Sequence, residues 1–288
     1  MDPRVKPEDD RKREWNLMAA VNPGERVVIA GQTVMLLLLY LFLYFPIFYV
    51  VYLSVMENSV WPFPPVFTWE HYGTLGIMSD FHEGLVNSLL IGLGTGLLST
   101  LLAGLAVVGI LKYRTRIRAL MVLLYLAPLF VAHVLIGIST LMFNRGVLGL
   151  PGNIPSTILA NSTYAVAFAF LIILAQLLRY DWRLDEAAMV FGAGPRRTFW
   201  EVTLPNTWPA LLGAFLVSFI LAFNNLDISF YNLGAVPTLP TIAWGTLRHG
   251  IEPELYALAS IVNALVFAVL IALFFLLRSG LLRLGPPE

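Results

Sequence analysis

Residues 183–205 read RLDEAAMVFGAGPRRTFWEVTLP, a polar segment that separates two long apolar runs. Its first apolar residues recur at i, i+3, i+4 and i+7, which places them on one stripe of a helix: Leu184, Ala187, Ala188 and Phe191. Gly192–Gly194 interrupts that helix, Pro195 suits the first turn of a second one, and Leu204-Pro205 is expected to end it. The segment therefore predicts a helix-turn-helix held between membrane spans.

The composition of the chain indicates a membrane protein. Of its 288 residues, 58% are hydrophobic and 12% are charged. The mean hydropathy is +0.76, which is more apolar surface than a soluble monomer can bury. The chain has no cysteine, and its 4 histidines are too scattered in sequence for a metal motif. It has no P-loop sequence, so it is not expected to hydrolyse ATP by that route.

Several apolar stretches are each long enough to cross a bilayer as a helix, which takes about 20 residues. The runs are continuous rather than alternating, so the expected fold class is all-α, a polytopic membrane protein with six transmembrane helices. The predicted spans are Thr33–Met56, Leu85–Leu111, Ala119–Phe143, Thr157–Leu178, Pro209–Tyr231 and Leu255–Leu277. Pro46 and Pro128 are expected to kink the first and third spans, and Gly92 and Gly96 to let another helix approach the second.

The distribution of positive charge predicts the orientation of the helices. Lys and Arg cluster before the first span, in the second loop, after the fourth span and after the last span: Arg11, Lys12, Arg13, Arg26, Lys112, Arg114, Arg116, Arg118, Arg179, Arg183, Arg196, Arg197, Arg278 and Arg283. Residues 57–84, between the first two spans, contain neither. Because cytoplasmic loops carry the excess of Lys and Arg, both termini and the loop at 179–208 are expected to be cytoplasmic.

The motif Glu186-Ala187-Ala188, with Gly192 and Leu204-Pro205, resembles the EAA loop in the membrane subunits of binding-protein-dependent ABC importers. In that family the loop docks into a cytoplasmic ATPase. The resemblance implies the type I permease fold of ABC importers, in a bacterial inner membrane. It also implies an ATPase-coupling role for Leu184, Asp185, Glu186, Ala187, Ala188, Phe191, Gly192, Arg196, Leu204 and Pro205.

From about Leu85 to Leu277 the chain is most similar to the second permease of polyamine (spermidine/putrescine) importers, within the wider group that includes the maltose importer permeases. The residues that carry this similarity are Lys112-Tyr-Arg, Leu239-Pro240, Gly250, Pro253-Glu254 and Ala257-Leu258-Ala259. Polyamine permeases tend to carry a pair of aspartates in the fifth span, where this chain has Asn224-Asn225 and an acid only at Asp227. This departure favours a small polar or singly cationic solute, such as an amine-bearing zwitterion, over spermidine.

The resemblance implies a domain organisation and a set of partners. Residues 1–32 form a cytoplasmic disordered or interfacial segment, 33–278 a six-helix permease domain with the coupling loop at 179–208, and 279–288 a cytoplasmic tail. The implied partners are a second permease subunit, two ATPase subunits that bind ATP and Mg²⁺, a periplasmic solute-binding protein and the lipid bilayer. No cofactor in this chain and no nucleic acid are expected, and the chain is a transport subunit rather than an enzyme.

Polar residues of the fifth span are candidates for lining the translocation path: Asn224, Asn225, Asp227 and Ser229. A carboxylate at a helix centre costs about 2.5–3.5 kcal/mol on insertion scales, so Asp227 should face protein or water. On a continuous helix Asn224, Asp227 and Tyr231 share one face. Asn225 and Ser229 lie on another face. For each face, lining the path and bonding a neighbouring helix both remain open.

The loop at 232–254 lies on the outer side in this topology and is expected to touch the binding protein. Its candidate contacts are Leu239, Pro240, Arg248, His249, Glu252 and Glu254.

Two other functions are compatible with several membrane helices. An ion-coupled secondary transporter would need intramembrane charge pairs or inverted repeats, and the spans offer only Asp227 and His133. His133 itself is either hydrogen-bonded inside the bundle or part of a proton relay. A non-transporting membrane scaffold would tolerate the helices but leaves the EAA-like loop unexplained.

Overall fold

The computed structural model describes residues 23–58, 63–112, 117–249 and 253–278. The chain divides into two units, residues 1–52 and 53–288, and each is described by itself. Helix α1 (Pro23–Ser54) covers the first predicted span as far as Ser54 and keeps Pro46 inside an unbroken helix. Because α1 begins at Pro23, residues 23–32 are helical, and an interfacial position for them stays a prediction. Residues 1–22 lie outside the described residues.

The second unit is built of helices, and the described residues contain no strand beyond one isolated bridge between Met56 and Phe67. Its helices are α2 (Glu70–Ile77), α3 (Ser79–Lys112), α4 (Arg118–Leu126), α5 (His133–Gly146), α6 (Ile154–Leu177), α7 (Arg183–Val190), α8 (Pro195–Thr198), α9 (Leu204–Phe223), α10 (Asp227–Asn232), α11 (Leu239–His249) and α12 (Pro253–Arg278). The all-α fold class is confirmed. Helices α3, α6 and α12 confirm the second, fourth and sixth predicted spans.

The third span is broken in the middle, so the prediction of one helix over Ala119–Phe143 is wrong. Helix α4 runs into a 3₁₀ turn (Ala127–Phe130), and α5 then leaves at an angle of 107°. The break follows Pro128, which has no N–H to donate along the helix, and Ala132 is in an extended conformation. The kink expected at Pro128 is therefore a full break between two half-helices.

The fifth span ends earlier than predicted, at Phe223, and the predicted continuous helix over Pro209–Tyr231 is wrong. Helix α9 ends at Phe223, and the chain resumes helical structure at Asp227 in the short helix α10. The Oδ1 atom of Asn225 accepts a hydrogen bond of 2.8 Å from the Ile228 amide, which satisfies one free N–H at the start of α10. The helical faces that we predicted for Asn224 and Tyr231 therefore do not apply.

The core of the second unit lies where α3, α6 and α9 pack against one another. Apolar residues from all three helices close one part of this core, with Ala103, Phe170 and Ala214 buried together. A Cβ atom added at Gly92 or Gly96 would lie 2.8–2.9 Å from the rings of Phe219 or Phe215 on α9. The close approach expected at these two glycines is confirmed, because α9 packs directly onto α3 there.

Candidate functional site

The polar loop after α6 folds into the predicted helix, break and second helix. Helix α7 ends in a Schellman motif, in which the Gly192 amide donates to Met189 O and the Ala193 amide to Ala188 O, both at 3.0 Å. Gly192 has a φ of +89°, a conformation that costs other residues about 1–2 kcal/mol. Gly194 then precedes α8 with an ordinary φ of −69°. The glycine break is confirmed, and Gly192 is the position that requires glycine.

The expected stop at Leu204-Pro205 is wrong, because the helix continues through it. A π-helical turn (Phe199–Thr203) joins α8 to α9, and Pro205 lies in the first turn of α9. Proline lacks an N–H and its ring crowds the carbonyl four residues earlier, and a π turn provides a wider backbone path at that point. Residues Pro195–Phe223 therefore form one continuous helical segment of 29 residues.

An apolar stripe on α7 faces away from the rest of the chain. Leu184 is 47% exposed, Val190 83% and Phe191 91%. Glu186 and Ala187, on the same short helix, are also exposed. We call these five residues the coupling surface. Of the other predicted coupling residues, Arg196 and Pro205 are exposed, and Ala188 and Leu204 are half-buried. Leu184, Val190 and Phe191 therefore form an exposed apolar surface on the loop between α6 and α9.

Asp185 lies on the opposite side of α7 and is only 3% exposed. Its carboxylate accepts a hydrogen bond of 2.6 Å from the Tyr180 hydroxyl and bonds of 3.0 and 3.1 Å from Thr203 Oγ1. Burial and the hydrogen bond to Asp185 raise the pKa of Tyr180 well above its ordinary value, so the hydroxyl remains a donor. Asp185 therefore joins the end of α6, helix α7 and the π turn.

A buried network of side-chain amides joins helices α5 and α10. The amide nitrogen of Asn232 donates to Gly137 O at 3.1 Å and to Thr140 Oγ1 at 3.0 Å. Its carbonyl oxygen accepts a bond of 3.1 Å from Asn144, which is itself buried. Each such bond contributes about 1 kcal/mol net, and breaking one would strand a buried amide. Our sequence reasoning missed this network, although amides inside apolar spans were a usable signal.

The predicted path residues separate into different environments. Ser229 is 1% exposed, and its hydroxyl accepts a bond of 3.2 Å from Asn161 on α6, so it joins two helices. Asn225 caps α10 through its side chain. Asn224 is exposed in the gap between α9 and α10. Asp227 keeps 46% of its side chain exposed and lies at the start of α10.

Asp227 faces His133, which is the first residue of α5. The distance from Asp227 Oδ2 to His133 Nδ1 is 3.9 Å, and the His133 side chain is 39% exposed. The imidazole also packs edge-on against the ring of Tyr164 from α6, with ring centroids 4.2 Å apart. To the two predicted roles of His133, hydrogen bonding inside the bundle and proton relay, this contact adds a third, an ion pair with Asp227 when the imidazole is protonated.

The candidate contacts for a binding protein lie on and beside α11. Leu239 is 1% exposed, and its amide donates a bond of 3.0 Å to Ser88 Oγ, so Leu239 anchors the loop to α3. Asn87 donates to Pro237 O at 2.9 Å and ties the same loop to α3. Arg248 is exposed and stacks over the ring of Trp244 at 5.2 Å. Pro240 and Glu254 are half-buried. Glu252 and the His249 side chain lie outside the described residues.

A comparison with known families matches residues 96–283 to the family described as binding-protein-dependent transport system inner membrane component. The chain belongs to this family. It is 28% identical over 238 residues to the putrescine transport system permease protein PotI of Escherichia coli (strain K12), covering 80% of this chain and 85% of that protein. It is 24% identical to the spermidine/putrescine transport system permease protein PotC of Haemophilus influenzae, covering 81% and 90%.

Solved structures show the same fold. The chain matches a bacterial ABC transporter involved in the import of the acidic polysaccharide alginate with a TM-score of 0.67 at 18% identity, covering 90% of this chain and 98% of that chain. It matches the MetNI methionine ABC transporter with a TM-score of 0.52 at 19% identity, covering 70% and 99%. The resemblance to polyamine-type importer permeases is confirmed. This inner membrane component is a permease subunit of an ABC importer, which decides against the secondary transporter and the scaffold.

Proposed function

We propose that this permease forms half of the translocation pathway for a small polar or cationic amine, and that ATPase subunits drive it through the coupling surface. The observation that carries the proposal is the exposure of Phe191 at 91%. Burying an aromatic side chain of this kind in a groove of another protein contributes about 2 kcal/mol or more. Glu186, on the same surface, supplies a charge that fixes the orientation of the docked helix.

The mechanism follows from the connection between α7 and α9. Asp185 bonds α7 to the π turn, and that turn continues directly into α9. A helical segment of 29 residues is roughly 40 Å long. When the ATPases close and move α7, the buried bonds of Asp185 transmit the displacement to α9, and its far end lies at the break before Asp227. ATP-driven closure would thus alternate the inner and outer openings.

The remaining partners complete the proposal. A second permease subunit supplies the other wall of the pathway, because one bundle encloses only half of it. A periplasmic solute-binding protein docks on the outer side at α11, where Arg248 is exposed and Leu239 holds the loop in place. Both termini and the coupling surface are cytoplasmic, as the positive charge predicts. On α10, just after the fifth span, Asp227 faces the path while Ser229 bonds α6.

The docking step is tested by co-purification of the importer with its ATPase. Phe191→Ala removes the aromatic contact and Glu186→Lys reverses the charge, so each should reduce retention of the ATPase and abolish solute-stimulated hydrolysis while the permease still inserts. Ile77→Ala is the matched control, because Ile77 is 87% exposed on α2, away from the coupling surface. Normal ATPase retention by both coupling variants would refute the proposal.

The solute class is tested on the solute-binding protein that delivers to this permease. Calorimetric titration should compare putrescine, spermidine and 4-aminobutanoate, in which a carboxylate replaces one terminal CH2NH3+ group of putrescine. The single acid Asp227, where polyamine permeases carry a pair, favours binding of a smaller or less charged amine than spermidine. Tight binding of spermidine in preference to both others would refute this assignment.

A further inference from the structure

The contact between His133 and Asp227 joins the first residues of two helices: α5 begins at the break in the third span, and α10 begins just after the fifth span ends. The two side chains come from α5 and α10, and Nδ1 and Oδ2 are 3.9 Å apart. Ionisable groups in or beside membrane spans are rare and expensive, so a pair at this position needs a reason beyond packing. Both side chains also remain partly open, at 39% and 46% exposure.

The packing of α5 against α10 does not depend on this pair. Asn232 and Asn144 already join the two helices through buried amide bonds. Ile136 and Ile228 form an apolar contact between them, closed by Ala160. An ion pair at 3.9 Å between partly exposed groups adds little stability to such an interface. The His133 imidazole can therefore leave Asp227 without separating the helices.

We propose that His133 and the ammonium group of the transported amine are alternative partners of the Asp227 carboxylate. The histidine is the partner of the carboxylate when no solute is present, and the solute replaces it during passage. This inference rests on the proposed amine solute and deepens it, because it assigns a specificity-determining role to His133. The ring of Tyr164 packs edge-on against the His133 imidazole, and the Asp227 carboxylate remains partly exposed.

The competition predicts a dependence on pH. Histidine is the side chain whose charge changes between pH 5 and 8, whereas an aliphatic ammonium group remains charged over that range. The helices packed against His133 contribute few other titratable groups: α6 carries Tyr164, and α10 carries Asp227 and Tyr231. Protonated His133 should bind Asp227 more strongly, and the solute must then displace a cation. Acidification should therefore weaken the interaction of the solute with the path.

The test uses the complete importer in proteoliposomes, with putrescine and 4-aminobutanoate as probes at external pH 5.5 and 7.5. In the wild type, the KM for the transported probe should rise roughly three- to tenfold from pH 7.5 to pH 5.5. His133→Gln should remove this rise, and His133→Lys, a permanent cation, should give the high KM at both pH values. The affinity of the isolated binding protein for the probe is measured at both pH values, and any change in that affinity is separated from the change in the KM of transport.

The control variant is His82→Gln, because His82 is an exposed histidine in the first turn of α3 that bonds only Met78 O through its ring. It should keep the wild-type dependence on pH. If His133→Gln and His133→Lys both keep the wild-type KM ratio, or change only the maximal rate equally at both pH values, the competition does not occur although the proposed function stands. If the wild type takes up neither probe, the amine solute itself is wrong, and this inference falls with it.

Discussion

Asp185 is predicted to be the residue that makes the coupling loop rigid enough to transmit movement. Hydrogen bonds to a charged group contribute about 1.5–3 kcal/mol each. Because Tyr180 is only half-buried, the lower value of about 1.5 kcal/mol applies to its bond to Asp185 and to the bond from Thr203. The two bonds together then contribute about 3 kcal/mol. Asp185→Asn keeps an acceptor oxygen but loses the charge, which roughly halves this contribution to about 1.5 kcal/mol.

The loss should appear as local unfolding of the loop. At about 1.4 kcal/mol for each factor of ten, Asp185→Asn should speed amide hydrogen exchange over residues 183–203 roughly tenfold. Thr203→Val removes one of the two donors and should have a similar effect. The double variant should lose about 2 kcal/mol, which is less than the sum of the two single losses, because both changes act on the bond between Thr203 and Asp185. Exchange is measured by mass spectrometry on the permease in nanodiscs without ATPase.

Two comparisons make the result interpretable. Glu186→Gln neutralises the neighbouring carboxylate, which is exposed, and should leave the exchange rate unchanged within about twofold. Because the pKa of Tyr180 is raised in the folded protein, the stabilisation from its hydrogen bond to Asp185 is fully present below about pH 10. It is lost only as the pH rises through the pKa of Tyr180 in the folded protein. The difference between variants should therefore be the same at pH 6 and pH 8. Wild-type exchange in Asp185→Asn and Thr203→Val would refute the assignment.

Three further outcomes are expected from the structure. Gly192→Ala should lower the free energy of unfolding by about 1 kcal/mol and reduce coupled transport, whereas Gly194→Ala should lower it by about a few tenths of a kcal/mol. Neither site is crowded, but only Gly192 has a positive φ, and circular dichroism melts of the two variants check the difference. Ala235→Cys should react with an impermeant thiol reagent in intact cells and Val190→Cys only in permeabilised ones; the reverse labelling would overturn the orientation. Asn224→Asp adds a carboxylate to the path and should raise uptake of putrescine relative to 4-aminobutanoate; an unchanged ratio of the two rates would remove Asn224 from the path.

Local sequence signals were sufficient for the coupling loop. A helical stripe, a glycine that needs a positive φ and a proline in a first turn each depend on residues within one or two turns, so the helix-break-helix is predictable from residues 183–205 alone. The same reasoning was wrong at Leu204-Pro205, since a proline that follows a π turn starts α9 instead of ending the helix. The burial of Asp185 was also missed, because its partner Thr203 is 18 residues away.

The sequence by itself determined that this protein is a bundle of membrane helices with a polar docking loop, because apolar length and helical period are properties of each segment alone. Only the tertiary structure decided where the third span breaks. Hydropathy is similar on both sides of Ala132, and a break in the backbone hydrogen bonds of a membrane helix is tolerated only where other protein groups satisfy the freed N–H and C=O groups. Those groups come from distant positions, as when Asn232 bonds Gly137, 95 residues earlier in the chain. The pairing of His133 with Asp227 was also decided by the tertiary structure, since packing brings the first residues of α5 and α10 together.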